Sequence, residues 1–207
     1  MSARCEMGGF PHPRNCSKCV CPSGYGGDLC NEKPAGCGDV LEAKTEYQTL
    51  VDQVGDVDAG QIAREDMSIC NYWIKVLCYE FYYWIKIAYL SQGLAVDGCT
   101  YWGVEIKTHA DQRLTGYRFC APEDIGVTLV SSYHIVPVIT YNRFYATRVK
   151  LDYRIVSSDT SYPQPQPIDC KSDDLCKHLE ETMNFCKNPW LSDTYKKELC
   201  PKECGFC

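Results

Sequence analysis

The sequence has no apolar run able to cross a bilayer. Its most apolar stretch, Tyr72 to Leu90, carries Lys75, Glu80 and Lys86. Each would cost about 2.5–3.5 kcal/mol at a bilayer centre. A pair of buried strands is the better reading of it. Basic runs are missing too. None is longer than Lys196-Lys197, and the net charge is −6. A nucleic-acid phosphate backbone has nothing to bind. The four histidines, His12, His109, His134 and His178, never form an H-x-x-x-H pair. The zinc-protease helix H-E-x-x-H is therefore absent from these residues, and with it a metal-activated water. No G-x-S-x-G elbow surrounds Ser131-Ser132-Tyr133-His134, which reads as a loop. The sequence supplies no catalytic residue and no metal-ligand set.

Cysteine is abundant instead: 16 in 207 residues, in blocks of five (5–30), five (37–120) and six (170–207). Such blocks are the disulfide frameworks of secreted modules. Free thiols or zinc ligands in a reducing compartment are the alternative. A secreted chain should open on an apolar segment of about 7–15 residues, yet Met1 to Gly9 has none. The expectation is a piece of a longer secreted precursor, or a misassigned start.

Cys99 to Ile155 reads as β-structure. Val104, Ile106 and Thr108 alternate with Glu105, Lys107 and His109. Val149, Leu151, Tyr153 and Ile155 alternate with Lys150, Asp152 and Arg154. Period two sends one set inward and leaves the other in water. Turns are expected at Ala110-Asp111, Gly116, Ala121 to Asp124 and Tyr141-Asn142. Short strands at this spacing form a two-sheet sandwich.

Residues 1–36 have little apolar content beyond Phe10, Val20, Tyr25 and Leu29, so cysteines must hold them. The ending C-x-C-P-S-G-Y-G-G-x-x-C, Cys19 to Cys30, resembles the second half of an EGF-like domain. The longer run from Gly8 to Gly27 is similar to the segment after the catalytic domain of nematode astacin-type zinc metalloproteases. The resemblance implies Cys5–Cys19 and Cys21–Cys30 and leaves Cys16 without a partner in this chain. Asn15-Cys16-Ser17 is a glycosylation sequon at Asn15.

Residues 37–156 resemble a CUB domain, through Cys37, Cys70-x2-Trp73-Ile74, Cys99-x-Tyr101 and Cys120. The resemblance implies Cys37–Cys70 and Cys99–Cys120. Many CUB domains hold calcium with an acid directly after that tyrosine, where this chain has Trp102. Asp52, Asp56 and Asp58 form the only acidic cluster nearby and read as a solvated turn. Val76 to Trp84 departs from the family as an aromatic run with an extra cysteine, Cys78. It is either divergence or an error in the gene model.

Pro163, Pro165 and Pro167 make 157–169 an extended spacer. The tail, ending CPKECGFC, resembles the six-cysteine ShKT module. The resemblance implies Cys170–Cys207, Cys176–Cys200 and Cys186–Cys204. Leu175, Leu179, Met183 and Cys186 share one helical face, and a second helix is expected over 192–199. Thr194-Tyr195 stands where channel-blocking relatives have Lys-Tyr, which argues against channel block.

The expected fold is mainly β. A CUB-type sandwich is flanked by a truncated EGF-like module and a small helical ShKT module. The domains expected are 1–36, 37–156, the linker 157–169, and 170–207. The resemblance implies a non-catalytic ancillary region of a secreted astacin-type zinc metalloendopeptidase. It would bind substrate, matrix or a partner protein beside a catalytic domain that holds the zinc. The chain itself would carry no cofactor. The alternative is a free-standing secreted binding or immunomodulatory protein.

Overall fold

The computed structural model describes residues 3–75, 81–157, 174–188, 196, 200 and 202–205. The chain divides into two compact units, Met1–Ser158 and Asp159–Cys207.

In the first unit eleven strands follow in order: β1 Phe10–His12, β2 Asn15–Val20, β3 Val40–Glu42, β4 Gln48–Gly55, β5 Ala63–Lys75, β6 Phe81–Leu90, β7 Trp102–Ile106, β8 Tyr117–Phe119, β9 Thr128–Ser131, β10 Ile135–Phe144 and β11 Ala146–Ser157. β1 and β2 form a small ribbon. The other nine make a sandwich, with sheets ordered β3-β5-β10-β7-β8 and β4-β11-β6-β9. Among the described strands every pairing is antiparallel except β3 with β5. The described residues of the stretch from Tyr72 to Leu90 belong to two strands, but β5 and β6 lie in different sheets.

The core lies between the sheets. Ile74, Val104, Ile106, Val136 and Val138 meet Tyr83, Ile85, Ile87 and Leu151, all with no exposed surface. Full burial of each aliphatic side chain contributes about 1.5–3 kcal/mol. The alternation along β11 is as expected, with Val149, Leu151, Tyr153 and Ile155 buried. The parallel strand β3 is brought to β5 by a glycine. Gly38 has φ +98, and a Cβ there would lie 1.9 Å from the Asn71 carbonyl oxygen.

Three expectations are corrected. Glu105 and Lys107 do not face water: they are 3% and 2% exposed. Tyr141-Asn142 is not a turn but lies inside β10. The chain reverses at Tyr145, whose φ is +57. Asn142 shapes that reversal from beneath. Its amide nitrogen donates to the Phe144 carbonyl at 3.2 Å and to Thr147 Oγ1 at 2.9 Å. Its oxygen accepts from the Phe144 N–H at 2.9 Å and from Arg64 at 3.2 Å. Lastly, Asp52 is no part of a solvated turn. It sits on β4 and accepts a hydrogen bond from Thr140 Oγ1 on β10, across the sandwich. Burial, and then the Asp52 carboxylate, push the Tyr72 phenol well above its usual range. Only Asp56 and Asp58 are exposed, in a turn closed by the Asp58 N–H on Asp56 Oδ1 at 2.9 Å.

In the second unit α1 spans Asp174–Met183, and a 3-10 turn follows over Phe185–Lys187. Cys176, Phe185 and Cys200 form its buried cluster. The Cys186 N–H donates to Glu180 Oε2 at 2.7 Å. Within 192–199 only Lys196 is described, helical and buried.

Asn142→Leu should keep the volume while leaving the Phe144 N–H and Thr147 hydroxyl unpaired. A loss of about 1–3 kcal/mol per orphaned group is expected in chemical denaturation.

Candidate functional site

The outer face of the five-stranded sheet is apolar where an ordinary sandwich would meet water. Trp73 on β5 stands opposite Pro137 on β10, flanked by Ile135 and Ile139. A disulfide-held module covers this face. Tyr25 and Cys30 of that module join Trp73 and Ile135 in one buried cluster, with Met7, Cys19 and Cys21 packed against it.

Polar bonds fix the cover in register. The Trp73 indole Nε1–H donates to the Gly24 carbonyl at 2.7 Å. The Tyr25 and Trp73 rings lie 5.5 Å apart. The Tyr25 hydroxyl donates to Gln112 Oε1 at 2.9 Å, and the Gln112 amide nitrogen donates to the His109 carbonyl. Lys107 is the hub. Its Nζ donates to the Ser23 carbonyl at 2.8 Å and the Gln112 carbonyl at 2.7 Å, and lies 5.7 Å from the Tyr25 ring centre. Glycine makes the approach possible: Gly24 has φ +83, and a Cβ there would lie 2.8 Å from Pro137 Cβ.

The electrostatics follow from burial. Desolvation lowers the Lys107 pKa, against an opposing pull from Glu105 and Asp111. Desolvation likewise carries the Tyr25 phenol far above its usual range. Glu105 has its own partners, the Gly116 N–H at 2.9 Å and Arg118 Nε at 2.8 Å. The loop carrying Gln112 is braced by Arg113 on Asp111, which holds that carboxyl down to about 2.

The cysteines fall as follows. Bridges join Cys5 to Cys19 and Cys21 to Cys30 in the module. Cys37 is joined to Cys70, and Cys99 to Cys120, in the sandwich. In the second unit Cys176 is joined to Cys200 and Cys186 to Cys204. Cys16 is exposed and unbonded. Cys78, Cys170, Cys207, Thr194, Tyr195 and the 157–169 linker beyond Ser157 lie outside the described residues. Asn15 is exposed at the start of β2, and its Oδ1 accepts the Ser17 hydroxyl at 2.7 Å.

Among the described residues no group of three His, Cys, Asp or Glu is gathered for a metal. Trp102, where an acid would help hold calcium, is 1% exposed and belongs to the main core. The residues present do not fit a calcium ion. Ser131 Oγ donates to the Thr108 carbonyl at 3.1 Å, and the Tyr133 hydroxyl reaches Met7 Sδ at 3.1 Å. That loop therefore supports the covering module, and burial lowers the His134 pKa there.

Sequence reading missed Lys107, Gln112 and Trp73 as a set. The signal that points to them is Ile135-Val136-Pro137-Val138-Ile139, an unbroken apolar run. Such a run marks a strand buried on both faces.

Two outcomes test this description. Lys107→Met leaves the Ser23 and Gln112 carbonyls unpaired, at about 1–3 kcal/mol each, so residues 3–36 should become protease-sensitive first. The pH dependence has a definite sign. A depressed amine pKa means that the unfolded chain binds more protons, so stability rises with pH from the depressed value up to the ordinary value of about 10.4. The stability of wild type minus that of Lys107→Met, from denaturation midpoints, should widen towards about pH 10; a flat difference would contradict burial of the charge. Separately, calcium at about 1 mM should leave the melting temperature unchanged apart from ionic-strength effects, since a site of that affinity would stabilise the fold by linkage.

No family model matches the chain. It is 41% identical, over all 207 residues, to part of zinc metalloproteinase nas-31 of Caenorhabditis elegans, and covers 33% of that protein. It is 35% identical over 161 residues to nas-32 and 32% identical over 160 residues to nas-25, both zinc metalloproteinases of the same nematode. These matches take in 76% and 74% of this chain, and 24% and 38% of those proteins. The chain thus spans about a third of the length of the curated relatives it matches. Among solved structures, CUB1-EGF-CUB2 of rat MASP-1 aligns over 72% of this chain and 46% of its own, at 14% identity and TM-score 0.40. The extracellular region of zebrafish Gpr126/Adgrg6 aligns over 59% of this chain and 15% of its own, at 18% identity and TM-score 0.38. The sandwich is defined by its own sheet order and register. The chain's homologues are thus nematode astacin zinc metalloproteinases, and it matches a non-catalytic region making up 24–38% of their length.

Proposed function

We propose that this chain is the ancillary binding region of a secreted astacin-type zinc metalloendopeptidase, holding substrate, matrix or a partner protein beside the catalytic domain. One observation carries the reading: similarity to nas-31 runs through all 207 residues, while H-E-x-x-H occurs nowhere in them. The zinc belongs to the parent's catalytic domain. The chain's own residues bind and position.

The reading divides the chain into an EGF-like module over 1–36, a CUB domain over 37–156, a linker over 157–169 and an ShKT module over 170–207. Sixteen cysteines and the bridges at Cys5–Cys19 and Cys37–Cys70 support an oxidising, extracellular setting. The contact of Gly24 and Tyr25 with Trp73 supports a rigid mount. A ligand on the sandwich would then keep a fixed orientation relative to whatever the first module is joined to.

Native secreted material captured with an antibody to residues 37–156 tests the proposal. A polypeptide well above 23.5 kDa that cleaves casein, and stops when chelated, is the expected result. A 23.5 kDa species without proteolytic activity would overturn it in favour of the free-standing binding protein.

A further inference from the structure

The outer face of the four-stranded sheet carries charge opposite to that of the whole molecule. β11 alternates buried Val149, Leu151, Tyr153 and Ile155 with outward Arg148, Lys150, Asp152 and Arg154. Lys86 on β6 is opposite Asp152, and Trp84 opposite Arg154. Among the described residues four basic side chains thus share the face with one carboxylate, on a chain of net charge −6. That carboxylate is already engaged, accepting from Thr49 Oγ1 at 2.7 Å.

Arg154 is the unusual member. Its guanidinium lies 4.6 Å from the centre of the Tyr47 ring and 5.3 Å from that of Trp84. Its Nε is buried without a hydrogen-bond partner. Among the described residues it meets no carboxylate. A half-buried arginine is normally paired. Packed against two rings, this one has no carboxylate among the described residues to compete with an external anion for its guanidinium. Exposed rings stand on either side: Tyr47 is 52% and Tyr89 44% exposed.

We propose that this face binds a sulfated polysaccharide. Successive outward residues on a strand are about 7 Å apart, so Arg148, Lys150 and Arg154 present a line of cations along β11. A line of charge on a flat face suits an extended polyanion. A folded acidic protein would call for a pocket that takes a central anchor side chain. Sulfate groups match the guanidinium and ammonium heads, and sugar C–H faces lie flat on Tyr47 and Tyr89. The inference rests on the ancillary-binding reading and narrows it to one ligand class.

The test uses the full 207-residue chain on immobilised heparin, with chemically desulfated heparin as control. Wild type should be retained on heparin alone and elute as salt rises. Arg148→Gln with Lys150→Gln, both at exposed positions, should weaken binding about fivefold per charge removed. Arg154→Gln should weaken it as well. Asp152→Asn keeps the acceptor for Thr49 and should strengthen binding. Lys18→Gln, which is paired with Asp28 in the first module, should change nothing. Melting curves that overlay wild type show that the exposed variants are folded. The proposal falls if heparin does not retain the chain, if the desulfated polymer binds equally, or if the double variant binds like wild type. It also falls if polyglutamate or phosphatidylserine vesicles bind the chain more tightly than heparin does. Loss of heparin binding alongside chelator-sensitive proteolysis by the native parent would remove this inference and leave the ancillary reading standing.

Discussion

The first unit depends on one exposed apolar sheet face finding a cover. Trp73, Ile135, Pro137 and Ile139 cannot stay in water without a large hydrophobic cost. The residues that cover them have too few apolar side chains to fold alone. Each part therefore lacks what the other supplies. Tyr25 and Cys30 bring the missing apolar surface. Lys107, Gln112 and the Trp73 indole satisfy the carbonyls that such a docked loop buries. A buried ammonium is tolerated here because main-chain oxygens surround it, and its depressed pKa records the desolvation that remains.

Disulfides and core share the stabilising work unequally. Between the sheets Ile85, Ile87, Val104 and Leu151 are fully buried, and hydrophobic burial dominates. Cys37–Cys70 and Cys99–Cys120 tie loops to that core. In the covering module and the second unit the balance reverses. There the buried clusters are small, and the second unit's is made largely of cystine, so the bridges supply most of the constraint on the unfolded chain. Removing sulfur from the sandwich should weaken it; in the small modules it should abolish order.

Much of the sandwich was legible in the sequence. Alternation over Val149 to Ile155 and the inward set Val104 and Ile106 appear in the structure as read. What alternation could not reveal is what lies over the second face. Glu105 and Lys107 are outward-facing in the strand sense, yet both are buried: Lys107 meets a module encoded some eighty residues earlier, and Glu105 is held by Gly116 and Arg118. Asn142 shows another limit. Local preference reads an asparagine as a turn former, whereas here a buried one braces the reversal from inside the strand. Asp52 shows a third. Nothing in the spacing of Asp52, Asp56 and Asp58 tells that the first faces Thr140 across the core. In each case the deciding partner is distant in sequence, where neither periodicity nor propensity carries information.

The disulfide module and the sandwich should open as one body. Native-state hydrogen exchange of the Trp73 indole N–H measures it most directly, because that proton is held by Gly24 across the join. Protection equal to that of the β5 backbone amides is the predicted result, since both would then exchange through the same opening. Rapid exchange of the indole proton, with β5 amides still protected, would show a module that lifts off by itself and would contradict the account.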